Sequence, residues 1–116
     1  MKLGIERLLA DPALRAPLNG QRVALLAHPA SVTHDLTHSL DALAACPGIS
    51  LSAAFGSQHG LKGDKQDNMM ESPDYTDPVY GIPVFSLYGE VRRPSGQMLG
   101  TFDTILIDMQ DLGCRI

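Results

Sequence analysis

An α/β fold built on a mostly parallel sheet of about four strands is what the sequence predicts. Short apolar runs of strand length recur: RVALLA at 22–27, ISLSAAF at 49–55, IPVFSLY at 82–88 and DTILID at 103–108. They read as buried parallel strands. Helical patterns lie before the first run, between the first two and before the last, the alternation that produces a parallel sheet. Each run is followed by a polar, turn-rich segment.

The elements follow in order. Residues 4–14 carry Ile5, Leu8 and Leu9 on one helical face, and Pro12 and Pro17 end the pattern. Asn19-Gly20 is a turn. A helix is expected over 34–46, where Leu36, Leu40, Leu43 and Ala44 form a core-facing stripe. Ser31 or Thr33 would cap its start, and Pro47-Gly48 would stop it. Residues 56–80 hold Pro73 and Pro78 and show no helical periodicity. A stretch this long without structure is usually functional or ordered by a ligand. It also leaves the second crossover without a clear helix. Pro83 opens the third strand, where a missing amide is tolerable. RPSGQMLGTF, 93–102, predicts a short helix with Met98, Leu99 and Phe102 inward.

The bulk properties bound the function. The 116 residues allow one domain, 1–116, with one modest core. An apolar content of 44% and a charged content of 19% are those of a globular chain. The net charge is −4 and the densest basic spot is Arg92-Arg93, which argues against a nucleic-acid partner. No apolar run can span a bilayer, and Glu6, Arg7 and Asp11 break the first one, so neither a membrane nor a secretory leader is expected. The expected location is cytoplasmic. Cys46 and Cys114 lack CxxC spacing and read as reduced thiols. His34 and His38 have metal-ligand spacing, but no third ligand is indicated and an exposed polar face is expected. Neither a metal nor a cofactor is expected.

In open parallel sheets, ligands bind beyond the carboxyl ends of the strands. The segments 28–31, 57–60, 88–90 and 108–111 would all emerge on that rim. Loops of α/β domains are polar in any case, so plain solvation is the alternative. No GxGxxG or GxxxxGK[ST] occurs, which weakens a nucleotide-binding reading, although a small flavodoxin-like nucleotide binder stays among the alternatives. His28 and His59 lie just past strand ends. Each suits either a hydrogen-bonding or a catalytic role. The carboxylates near the rim are Asp64, Asp67, Glu71, Glu90, Asp108 and Asp111. Glycoside hydrolysis commonly uses two carboxyl groups, but nothing in the spacing fixes a pair. Asp108 ends an apolar strand, where burial would make its charge costly, or it caps a neighbouring turn.

RVALLAHPASVTHD, AAFGSQHGLKGD, GIPVFSLYG and FDTILIDMQDLGCRI follow one another in this order. In this they resemble the N-terminal part of the exo-β-N-acetylmuramidase (NamZ-type) glycoside hydrolase family, formerly a domain of unknown function. The resemblance runs from about Gly4 to Ile116. It implies a Rossmann-like three-layer domain that carries much of an active site, completed by a smaller C-terminal domain. It implies removal of terminal N-acetylmuramic acid from peptidoglycan fragments, so the expected partner is a sugar or muropeptide containing that residue. The implied catalytic candidates are His59, Asp64, Asp108 and Asp111. The implied substrate contacts are His28, Gln58, Gly60, Gly63, Gln110 and Arg115.

Two departures from the family pattern matter. The family loop commonly reads Pro-Glu-His-Gly, whereas this chain has Ser57-Gln58-His59-Gly60. A carboxamide cannot exchange a proton near neutral pH, so Gln58 cannot be a general acid or base. Either another group takes that role, or the chemistry differs, or the protein is a non-catalytic binding module. The family pattern also continues beyond the position of Ile116. A final strand with only a short tail lacks the helix that should cover its sheet. The expectation is therefore a truncated domain, a fragment with little turnover alone. Its uncovered apolar surface would invite self-association.

Overall fold

The structure, a computed structural model, describes residues 2–56, 74–87 and 93–109. Strand β1, Arg22–Ala27, lies inside the sheet because its run VALLA has an apolar residue on both faces. It pairs in parallel with β2, Ser50–Gly56, on one side and β5, Thr104–Asp108, on the other. Strand β4, Pro83–Ser86, adds to β2 in parallel. The two-residue β3, Tyr75–Thr76, adds to β4 antiparallel, giving the order β3-β4-β2-β1-β5. The four parallel strands are those expected, while β3 lies inside the stretch read as structureless.

Helices cover both faces. On one face α1, Gly4–Ala10, and α3, Ser39–Ala44, bring Ile5, Leu40 and Leu43 against Leu25, Ala27, Ala54 and Val84. On the other, Met98 of α4, Gly96–Leu99, packs with Ala24, Ala53 and Phe55. Phe55 is fully buried, with ring centroids 5.3 Å from Phe85 and 5.8 Å from Phe102. This is the three-layer α/β arrangement. Leu99 is the exception to the expected inward set, being 53% exposed.

The first helical stretch is broken in two. Asp11 accepts at Oδ1 from the Ala13 amide (2.9 Å) and caps α2, Pro12–Arg15, with Pro12 in the first turn, where its lack of an amide costs nothing. Arg15 then donates back to the carbonyls of Leu8 (3.1 Å) and Leu9, joining the two pieces.

The helix expected over 34–46 is confined to Ser39–Ala44. Residues 31–39 instead form a hairpin-like loop closed by a Val32–His38 bridge. Within it the Ser39 amide donates to the Ser31 carbonyl (2.8 Å) and the Thr33 amide to that of Thr37 (2.9 Å). Asp35 Oδ1 accepts from the Thr33 hydroxyl and the Thr37 amide. Local side-chain acceptors of this kind compete with helix formation. The cap of α3 is His38, whose Nδ1 accepts from the Leu40 amide (3.1 Å), in place of the expected Ser31 or Thr33. Leu36, expected in the core stripe, is 79% exposed at the tip with φ +67°.

A second unforeseen element is the turn Asp77-Pro78-Val79-Tyr80-Gly81. Buried Asp77 accepts at Oδ1 from the amides of Val79 and Tyr80, both at 2.9 Å. Gly81 takes φ +70°, a conformation that favours glycine. The Tyr80 hydroxyl donates to Asp41 Oδ1 of α3 (2.7 Å), fixing the turn to the helix layer.

Two predictions concern stability. Phe55→Ala empties the centre of one layer and should cost about 3–5 kcal/mol in urea unfolding. The hydrogen bond to the Asp41 carboxylate, with burial second, pushes the Tyr80 phenol from 10.0 up to about 12. Folding therefore favours the neutral phenol. Its contribution is complete below pH 10.0 and is lost as pH rises toward about 12. Tyr80→Phe should lower stability by about 1.5 kcal/mol at neutral pH, the low end for a hydrogen bond to a charged group because this one is only partly buried. It should also remove part of the alkaline loss across that window, as unfolding on either side of it will read.

Candidate functional site

The strand order contains a reversal. From β1 the chain passes through α3 to β2 and on to β4 on one side. It then crosses through α4 to β5 on the other side of β1. A doubly wound sheet opens a crevice at such a point, between the carboxyl ends of the two strands that part company. Here these are β1 and β5.

The register makes the rim level. Ala27 pairs with both Gly56 and Asp108, and Gly56 pairs with Ser86, so the four parallel strands end in one row. In-register parallel neighbours point to the same face. Asp108 therefore lies on the side covered by α1 and α3, level with Ala27. His28 is the next residue of β1's exit.

Two serines join these strand ends. The Ser31 hydroxyl donates to the main-chain oxygen of Asp108 and lies 3.0 Å from both the His28 amide and His28 Nδ1. Ser39, fully buried at the start of α3, donates from Oγ to Asp108 Oδ2. His38 Nε2 donates to the His28 carbonyl at 3.1 Å. Asp108 is half-buried, and a groove of about 210 Å³ beside it is lined by Gly4, Ile5, Leu8, Leu25, Leu106 and Ile107. A larger groove of about 340 Å³ lies between α1 and the hairpin. It holds no strand-end residue, and the smaller one is the relevant hollow because it reaches the rim.

Of the expected site residues, His28 and Asp108 are brought together in this one network. Gln58, His59, Gly60, Gly63, Asp64, Gln110, Asp111 and Arg115 lie outside the described residues, as do Asp67, Glu71 and Glu90. Ser39 was not anticipated at all, and Ser31 only as a cap and as the last residue of the rim segment 28–31. The polar spacing Ser31-Thr33-Asp35-Thr37-Ser39 was the available signal, since such residues favour turns over helix interiors.

The two other histidines serve structure. His34 Nδ1 pairs with Glu6 Oε2, tying the hairpin to α1. That hydrogen bond holds the Glu6 carboxyl below its usual value, and the Thr33 hydroxyl does the same for Asp35. Among the described residues, no three His, Cys, Asp or Glu side chains gather where they could hold a metal ion. No helix among them is long and apolar enough to cross a membrane.

Residues 23–116 match the family described as exo-beta-N-acetylmuramidase NamZ, N-terminal. The chain belongs to this family. It is 40% identical over 115 residues to the peptidoglycan beta-N-acetylmuramidase NamZ of Bacillus subtilis (strain 168), a match over 99% of this chain and 27% of that protein. A crystal structure of a DUF1343 family protein from Bacteroides fragilis superposes with a TM-score of 0.80 at 36% identity, covering 98% of this chain and 27% of that one. A second DUF1343 family protein of that organism gives a TM-score of 0.68 at 25% identity, covering 97% and 26%. The chain thus spans about a quarter of the length of these relatives.

The hairpin offers a prediction. A left-handed backbone costs a residue such as leucine about 1–2 kcal/mol, more than the entropy glycine loses on folding, about 0.5–1 kcal/mol. Leu36 is 79% exposed and has little packing to lose. Leu36→Gly should raise stability by about 0.5–1 kcal/mol, read as a higher urea midpoint with an unchanged slope.

Proposed function

We propose that the chain is the N-terminal, Rossmann-like part of a two-domain glycosidase acting on peptidoglycan fragments, and that it contributes a sugar-binding rim at the β1–β5 switch point. The observation that carries this is the junction of His28 and Asp108 at that rim in a chain of this family. The name of the Bacillus subtilis relative supplies the substrate class, a β-linked N-acetylmuramic acid.

In this reading Asp108 and Asp111 serve as acid/base groups or sugar-hydroxyl contacts, with His59 and Asp64 as further candidates. Gln58 and Gln110 hydrogen-bond the sugar. Gly60 and Gly63 allow close approach of the loop, and Arg115 positions a carboxylate. Chain leaves β2 at Gly56, level with Asp108, so the segment carrying Gln58 and His59 starts from the same rim.

Gln58 favours a second reading, a module that binds such a sugar without cleaving it. Titration with N-acetylmuramic acid, followed by amide NMR, tests the site. Shifts at His28, Ser39 and Asp108 are expected, with no detectable cleavage of a chromogenic N-acetylmuramide by the chain alone. Shifts confined to other surfaces would refute the rim as the site, and robust cleavage would refute the need for a second domain. In the longer polypeptide, Gln58→Glu separates the readings: a gain of hydrolysis marks an altered enzyme, and retained binding without a gain marks a module.

A further inference from the structure

A serine hydroxyl has one proton to give. The Ser31 hydroxyl gives its proton to the main-chain oxygen of Asp108. Towards His28 it can therefore only accept, and it does so from the His28 amide at 3.0 Å. The ring nitrogen Nδ1 also lies 3.0 Å from the same oxygen. A lone pair on Nδ1 would face a lone pair on Oγ, so Nδ1 must carry the proton. A neutral imidazole has one such proton, and the other nitrogen is left as the acceptor.

We infer that Ser31 is a positioning residue that fixes His28, at the exit of β1, as the Nδ1–H tautomer, with Nε2 as the ring's acceptor. Ser39 complements it by holding Oδ2 of Asp108 from a fully buried position. The main-chain bond from the Ser39 amide to the Ser31 carbonyl (2.8 Å) keeps the two hydroxyls in a fixed relation.

His38 is a built-in reference. Its Nδ1 accepts from the Leu40 amide (3.1 Å) and its Nε2 donates to the His28 carbonyl (3.1 Å), which requires the opposite tautomer. One molecule thus holds two imidazoles in opposite states ten residues apart.

Long-range proton–nitrogen NMR of the imidazoles, on the 116-residue chain above the pH of histidine titration, tests this. The expected result is a protonated Nδ1 for His28 and a protonated Nε2 for His38 in one spectrum. Ser31→Ala should shift His28 towards the Nε2–H form, and Ser31→Thr should restore Nδ1–H. Nε2–H at His28 in the unaltered chain would overturn the inference, and so would an unchanged His28 pattern in a folded Ser31→Ala variant. If that variant does not fold, the unaltered chain and Ser31→Thr decide.

Discussion

The structure depends on how β5 is held. It is five residues long and, among the described residues, pairs on one side only, with β1. Its Ile107 is 66% exposed, so burial does little to hold that position. Beyond its ladder to β1 and the packing of Ile105 and Leu106, β5 is held by a clamp at each end. At the start, Asp103 accepts from the Arg22 amide (2.8 Å) and from Arg22 Nη2 (3.1 Å), while Arg22 Nη1 donates to the Gly100 carbonyl (2.9 Å). These arginine contacts hold the Asp103 carboxyl below its usual value. At the finish, Asp108 accepts from Ser31 and Ser39. The two clamps are unequal. The Arg22–Asp103 pair is exposed on both partners, and such pairs add little. A hydrogen bond from a buried hydroxyl to a carboxylate is worth about 1.5–3 kcal/mol. The clamp that matters energetically is the one at the rim, which is also where the candidate site lies.

This coincidence accounts for what the sequence could and could not show. Strands β1 and β5 were legible almost to the residue, because RVALLA and DTILID are apolar runs of strand length between polar breaks. The rim was legible too, since all carboxyl ends of a parallel sheet share one side. The neighbour relation between β1 and β5 was not. Strand order depends on which crossover passes over the sheet, and nothing in the composition of a strand records that. His28 and Asp108 were thus foreseen one by one but not as a pair.

The hairpin shows the opposite failure, a strong pattern overruled locally. Leu36, Leu40 and Leu43 have helical spacing, yet only the last two are buried. Thr33, Asp35 and Thr37 satisfy one another and nearby main chain, and His38 supplies a cap that the usual preference for Ser, Thr, Asp or Asn would not pick out. The turn at Asp77 was hidden differently. Asp before Pro is a turn signal, but it lay in a stretch read as a whole for its lack of periodicity.

The two serines divide the work in a way that bears on how the site can vary. Ser31 donates to the main-chain oxygen of residue 108, which every side chain at that position would provide. Ser39 donates to the carboxylate itself. A change at Asp108 would therefore strand the Ser39 hydroxyl while the Ser31–His28 contact kept its acceptor. The histidine is insulated from the identity of the acidic group beside it, although both sit at one crevice. Such a rim can exchange its carboxylate without disturbing the contact between Ser31 and His28.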